Sequence, residues 1–188
     1  MTIMVLVAII TLLIFINAFY VAAEFSAVSV RRPRLAQEAE SGSAQAGFVL
    51  DIVEQPRRLD TYVAACQVGI TVSSLALGFY GQARILELWT PLLDRLQPGF
   101  RILATSISAV VILMVLTVLQ VILGELLPKN VGLLHAERLA VVTAPGMRWS
   151  MRILSPLIWL FNGSGMIVLR LIGAEPASDH SHVHSPDE

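Results

Sequence analysis

Three long apolar runs separated by polar segments organise this chain, over residues 3–30, 59–88 and 101–127. Each exceeds the ~20 residues that a helix needs to cross a hydrocarbon core. The first ends at Arg31-Arg32-Pro33-Arg34. The segment 35–54 that follows carries Gln37, Glu38, Glu40, Asp51 and Glu54, with Gly42 and Gly47 as interruptions, and reads as a helix lying outside the hydrocarbon. Pro56-Arg57-Arg58 opens the second run; Trp89, placed as an interfacial anchor, and Pro91 close it. Residues 90–100 form a short loop before the third span. Residues 141–172 are apolar but interrupted by Arg148, Arg152 and Arg170 and by Pro145, Pro156 and Gly163. Amphipathic helices on the membrane surface, over about 139–172, fit this pattern better than a fourth span. The expected fold is an all-α membrane protein with three transmembrane helices plus juxtamembrane or interfacial helices. It comprises a membrane domain over 1–175 and a flexible tail over 176–188.

Polar residues recur inside the spans at helical spacing. Gln67, Thr71, Ser74 and Gly78 fall at i, i+4, i+7 and i+11 on one face of the second span, with Ser73 adjacent. In the third, Thr117, Gln120 and Gly124 share a face and Glu125 lies one step round. In the first, Asn17, Val21 and Glu24 share one face, while Ala22, Ser26 and Ser29 share another. A straight helix therefore cannot offer Glu24 and Ser26 to one small site. The plainer reading of the hydroxyls is bonding across helices or to their own backbone, worth about 0.6 kcal/mol each.

The run 119–130, Leu-Gln-Val-Ile-Leu-Gly-Glu-Leu-Leu-Pro-Lys-Asn, is the most informative. It places the carboxylate Glu125 near or inside the bilayer, where an ionisable group is costly and usually functional. Pro128 lacks an N–H, so the carbonyl four residues back, on Gly124, loses its helical partner. An anionic and a neutral oxygen then lie side by side where a helix breaks, and hard divalent cations prefer such ligands. The alternative is a helix end at the interface, with Glu125 and Lys129 as an i,i+4 pair. No lysine or arginine interrupts 3–30, 59–80 or 102–127, so Glu24 and Glu125 need a cation or a water-filled cavity.

Composition agrees with a membrane setting. Hydrophobic residues make up 55% and mean hydropathy is +0.72, above the ~45–50% apolar content of soluble domains. A net charge of −1 carries no nucleic-acid footprint. Cys66 is the single cysteine, which excludes an intrachain disulfide and a cysteine metal cluster. His180, His182 and His184 lie in the polar tail, and no His or Cys cluster points to zinc or copper. Met1 to Tyr20 lacks a basic n-region and reads as a retained helix rather than a signal peptide. The first loop holds Arg31, Arg32, Arg34, Arg57 and Arg58, against Arg95 and Arg101 in the second. The positive-inside rule then puts the N-terminus outside and the C-terminus in the cytoplasm of a multi-pass inner (plasma) membrane protein. No nucleophile–base pair or phosphate loop suggests an enzyme.

Four ordered stretches carry a family resemblance: residues 17–25 (Asn-Ala-Phe-Tyr-Val-Ala-Ala-Glu-Phe), 31–35, 67–75 (Gln-Val-Gly-Ile-Thr-Val-Ser-Ser-Leu) and 124–129 (Gly-Glu-Leu-Leu-Pro-Lys). With them the chain resembles the DUF21 transmembrane domain of the CorC/CNNM family of magnesium transporters over residues 1 to about 175. The resemblance implies three membrane helices, a juxtamembrane belt and a homodimer, followed by cytoplasmic CBS and CorC domains. This chain ends at Glu188 before them, as a truncated form would. It further implies magnesium export coupled to sodium entry. Gly124 and Glu125 match the family's Gly-Glu-x-x-Pro motif directly. Ser74 and Glu24 match positions that are asparagine-like in animal relatives, and Ser26 stands where many relatives carry alanine.

On this basis the expected function is Mg²⁺ transport, with Na⁺ as a possible coupling ion, through an intramembrane site in each protomer. Glu125 supplies charge, the Gly124 carbonyl and the Ser74, Ser73 and Ser26 hydroxyls supply further oxygens, and Glu24 joins them or makes the entrance negative. The alternative is a Mg²⁺-sensing membrane anchor that dimerises the cytoplasmic CBS domains without moving the ion.

Overall fold

The computed structural model describes residues 3–94 and 97–171, except for the side chains of Pro98 and of 161–171. The tail with its three histidines lies outside the described residues. The described part consists of helices: α1 (Ile3–Ser29), α2 (Arg32–Glu40), α3 (Ala44–Glu54), α4 (Pro56–Ala76), α5 (Gln82–Leu93), α6 (Pro98–Leu119), α7 (Leu127–Leu134) and α8 (Ala136–Leu171). Two π-helical turns, Leu77–Gly81 and Gln120–Leu126, join α4 to α5 and α6 to α7 without a break. Three stretches are long and apolar enough to span a membrane: Ile3–Ser29, Pro56–Leu93 and Gly99–Leu134.

Four local expectations change. The 35–54 helix is two helices, because Gly42 adopts a φ of +98° and Ser43 caps α3 by accepting the Ala46 N–H. Gly47 does not interrupt; it sits inside α3. The second span runs on to Leu93 with Pro91 inside the helix, and Asp94 N–H still reaches the Thr90 carbonyl at 2.9 Å. A proline this close to a helix end forfeits one bond rather than a whole turn. The third span does not break at Pro128: a π turn widens the helix just before it, and the helix continues through Pro128 into α7. The segment beyond 139 is one helix, α8, with Pro145 and Pro156 inside it. Arg148 and Arg152 are exposed along α8, and it is not among the three span-like stretches.

Helices α1, α4 and α8 share a core of Ala23, Ala27, Tyr62, Ala65, Cys66, Met147 and Ile158, to which α3 adds Ile52. A second core ties α2 and α3 to α8 through Leu35, Val49, Val53, Ala140 and Ala144. Lipid supplies no hydrophobic drive between helices, so association rests on close approach at small residues. Glycines mark these contacts. A Cβ at Gly69 would meet the Tyr20 ring at 2.4 Å, and one at Gly146 would meet the Phe19 ring at 2.6 Å. Tyr20 is fixed further by a 2.9 Å hydrogen bond with Ser150. The third span, Gly99–Leu134, is the least covered by the rest of the chain: 6% of its most apolar window is buried, against 39% in the second span.

Gly69→Ala should therefore destabilise the protein by about 1–3 kcal/mol, the usual cost of overpacking. Gly47→Ala, into open space on α3, should be neutral or stabilising by up to about 1 kcal/mol. Thermal melting of the detergent-solubilised variants checks the contrast; equal melting temperatures would contradict the packing described.

Candidate functional site

The three spans meet at Asn17. This residue lies near mid-length of α1 and is buried. Its amide N–H (Nδ2) donates to the Gly124 carbonyl at 2.9 Å. Its carbonyl oxygen Oδ1 accepts from the Ser73 hydroxyl at 2.9 Å and the Ser74 hydroxyl at 3.2 Å. The Gln120 amide in turn donates to Ser74 Oγ. One side chain thus bridges α4 and the second π turn.

Local sequence explains each part. Pro128 withdraws the N–H that would have served Gly124, and Asn17 replaces it. Position 124 must be small: a Cβ there would come within 3.0 Å of Asn17 Nδ2. Ser73 also lies 2.8 Å from the Gly69 carbonyl and 3.0 Å from that of Ile70. Its single proton has three acceptors to choose among, so it can either donate to Asn17 or turn away and accept.

The predicted ligands divide into two groups. Gly124, Ser73 and Ser74 come together around Asn17. Glu125 follows Gly124 directly, but its side chain is exposed on the outside of the single chain. It forms no ion pair with Lys129, whose ammonium instead lies over the Phe25 ring, 4.8 Å from its centroid. The i,i+4 pair is therefore not formed. Ser26 and Glu24 do not join the cluster. Ser26 lies nine residues from Asn17, about 13.5 Å along the helix. It is buried and donates to the Ala23 carbonyl of its own helix at 3.1 Å. Gly132 of α7 packs against that turn, where a Cβ would meet the Ala22 carbonyl at 3.3 Å. Glu24 is half-buried nearer the arginine-rich end, with the Gln67 side chain beside it.

Asn17 and Gln120 were missing from the predicted ligand set. Both were visible as polar residues on the inward faces of their helices; what the sequence lacked was the partner across the interface. Among the described residues no group of three or more His, Cys, Asp or Glu side chains gathers at metal-binding distance. The chemistry on offer is a set of neutral oxygens from an amide, two hydroxyls and a backbone carbonyl, with one carboxylate a residue away. That set suits a hard cation.

Comparison with known proteins follows the same lines. The family model described as "Cyclin M transmembrane N-terminal domain" matches residues 8–188. The chain is 36% identical to the UPF0053 protein YrkA of Bacillus subtilis (strain 168) over 185 residues, covering 95% of this chain and 40% of that protein. It is 35% identical over 180 residues to the UPF0053 protein YhdP of the same organism, covering 95% and 39%. It is also 35% identical over 168 residues to an uncharacterised protein of Mycobacterium tuberculosis (strain CDC 1551 / Oshkosh), covering 89% and 46%. The chain thus spans 39–46% of the length of these relatives.

The bridge predicts a coupled pair of substitutions. Asn17→Ala strands the Gly124 carbonyl and should cost about 1–3 kcal/mol, the penalty of an unsatisfied buried polar group. Gly124→Ala should cost less, by pushing the amide aside. The double variant should fall short of the sum, since both remove one interaction. Additive losses in melting temperature would show that the bridge contributes nothing.

Proposed function

This chain belongs to the cyclin M family of membrane domains, and from that premise we propose that it carries Mg²⁺ across the bilayer through the Asn17 cluster. The observation behind this reading is the 2.9 Å contact between Asn17 Nδ2 and the Gly124 carbonyl. A partly positive N–H there occupies the place a cation would take. Turning the amide by half a turn about its last side-chain bond would exchange Nδ2 for Oδ1. Two carbonyl oxygens would then face one another across the vacated position. Nδ2 would donate to Ser73 and Ser74, and Ser73 would pass its proton to the Gly69 carbonyl 2.8 Å away. Ser73 keeps an acceptor for its proton in either arrangement, and a cation in the vacated position would serve both carbonyl oxygens.

Mg²⁺ is the cargo in this scheme. It requires near-octahedral oxygen ligands and gives up its waters reluctantly. Asn17 Oδ1 and the Gly124 carbonyl supply neutral oxygens, Ser73 and Ser74 hold the turned amide by accepting from Nδ2, Glu125 supplies the charge, and retained waters complete the shell. Glu24, beside Gln67, makes the arginine-rich entrance negative. Export with Na⁺ entry as the driving gradient, an outside N-terminus, a cytoplasmic C-terminus and a homodimer complete the proposal. The CBS and CorC domains would lie in the length by which the relatives exceed this chain. That same excess favours a second reading, in which the domain is a Mg²⁺-sensing anchor for those domains without transport of its own.

Titration calorimetry and flux into proteoliposomes separate these readings. Glu125→Gln and Asn17→Leu should each weaken Mg²⁺ binding at least tenfold and abolish flux, while Ser26→Ala should leave both unchanged. Asn17→Asp should bind Mg²⁺ more tightly and release it more slowly. Binding without flux in the unaltered protein would establish the sensor; no binding at all would overturn both readings.

A further inference from the structure

A cavity of about 390 Å³ lies between the second and third spans. Two of its lining residues, Ser74 and Gln120, belong to the Asn17 cluster. From there it extends along Gly78 and Gln82 on one side and Leu113 and Thr117 on the other. Ser74, Gly78 and Gln82 fall at i, i+4 and i+8, and Leu113, Thr117 and Gln120 at i, i+4 and i+7, so each span turns one face to the cavity. Eight residues separate Ser74 from Gln82, about 12 Å along the helix. They lead away from Arg57 and Arg58, which open this span at its other end.

The walls are largely apolar, so a lipid chain and water compete for the space. The hydrogen bonds decide between them. Gln82 Nε2 donates to the Ala109 carbonyl at 3.1 Å, the Thr117 hydroxyl donates to the Leu113 carbonyl at 2.8 Å, and the Gln120 amide donates to Ser74. The donors are therefore engaged. Among the described residues no hydrogen bond reaches the side-chain carbonyl oxygen of Gln82 or Gln120, so each glutamine keeps a spare acceptor. An acyl chain cannot satisfy an acceptor, and leaving one bare in hydrocarbon is costly. A water can, and the volume holds about a dozen. Both π turns border this cavity, through Leu77–Phe79 and Gln120–Val121, and such turns concentrate at functional places.

We propose that this cavity is a hydrated path joining the Asn17 cluster to the membrane face opposite the arginines, with the oxygens of Gln82, Thr117 and Gln120 as its stepping points for a divalent cation. The cation's passage rests on the transport reading above; the hydration of the path does not.

Cys66 is the only cysteine of this chain and is buried, so a Cys66→Ser background of the chain gives a clean scan in sealed vesicles of both orientations. Thr117→Cys is nearly isosteric, and at Gly78 a Cβ would meet nothing closer than Leu113 at 3.9 Å, so Gly78→Cys provides a second probe. Val111→Cys, 53% exposed on α6, serves as the lipid-facing control, and Ser41→Cys marks the arginine face. A charged, membrane-impermeant methanethiosulfonate should modify Thr117→Cys and Gly78→Cys at least tenfold faster than Val111→Cys, and only from the face opposite Ser41. Modification should also cut Mg²⁺ flux through Thr117→Cys at least tenfold. Reaction no faster than the control, or with uncharged maleimide alone, would mean that lipid fills the cavity and would overturn the path; so would access from the Ser41 face alone. Absent flux in the unaltered protein would count against transport, while the labelling rates would still decide the path.

Discussion

A proline inside a membrane helix frees one carbonyl, and hydrocarbon offers that carbonyl no water. Pro128 imposes this constraint here, and the Asn17–Gly124 hydrogen bond answers it. Much of the middle of the bundle follows. Position 124 has to be glycine for the amide to come close. A π turn directly precedes the proline and widens the helix there. The other end of the Asn17 amide then needs donors, which Ser73 and Ser74 provide from α4. The same bond that repairs the third span therefore sets its register against the other two.

Away from that point the bundle is held by surface fit. Close approaches at Gly69, Gly132 and Gly146 bring α4, α7 and α8 onto α1. Helix α6 joins by one such approach, to the second span, where a Cβ at Gly81, in the first π turn, would meet Leu116 at 2.9 Å. The two π turns lie at the boundary between the well-packed helices and this loosely held one. The third span is seated on α1 at Gly132, while α6 is held to the second span by the Gly81–Leu116 approach and the Gln82–Ala109 hydrogen bond, so tilting α6 would remake fewer contacts than moving α1, α4 or α8. In a transporter that asymmetry would separate a scaffold from a moving element.

The spans were legible because ~20 apolar residues in a row have few other uses. The inward faces of the second and third spans were legible from spacing alone. Periodicity assigns a residue to a face but not to a partner, so Asn17 was placed on the right side of α1 while its role as the bridge stayed hidden. The continuity past Pro128 could not be read either, because proline marks where a bond is lost and does not say whether a widened turn will absorb the loss. Gly42-Ser43 carried a clear breaking signal, a flexible residue followed by a capping hydroxyl; but Gly42 and Gly47 both read as interruptions, and spacing alone does not say which of the two ends a helix. Glu24 and Ser26 were recognised as facing apart, and Ser26 turns to the Ala23 carbonyl while Glu24 lies beside Gln67.

The separation of charge from the neutral oxygens bears on how an ion could leave. A cage holding both carboxylate and carbonyls around a dehydrated divalent ion would bind it tightly, and a tight site releases slowly. Here Asn17, Ser73, Ser74 and the Gly124 carbonyl form a network that is complete without an ion, so an empty site carries no penalty from bare polar groups. Glu125 sits one residue along in the π turn, outside that network, and its approach to or withdrawal from the cluster would change affinity without rebuilding it. Under the transport reading, the neutral cluster fixes where the ion stops and the carboxylate fixes how long it stays. The second function depends on a helix segment whose hydrogen bonding is already irregular, which is where a small change of register costs least.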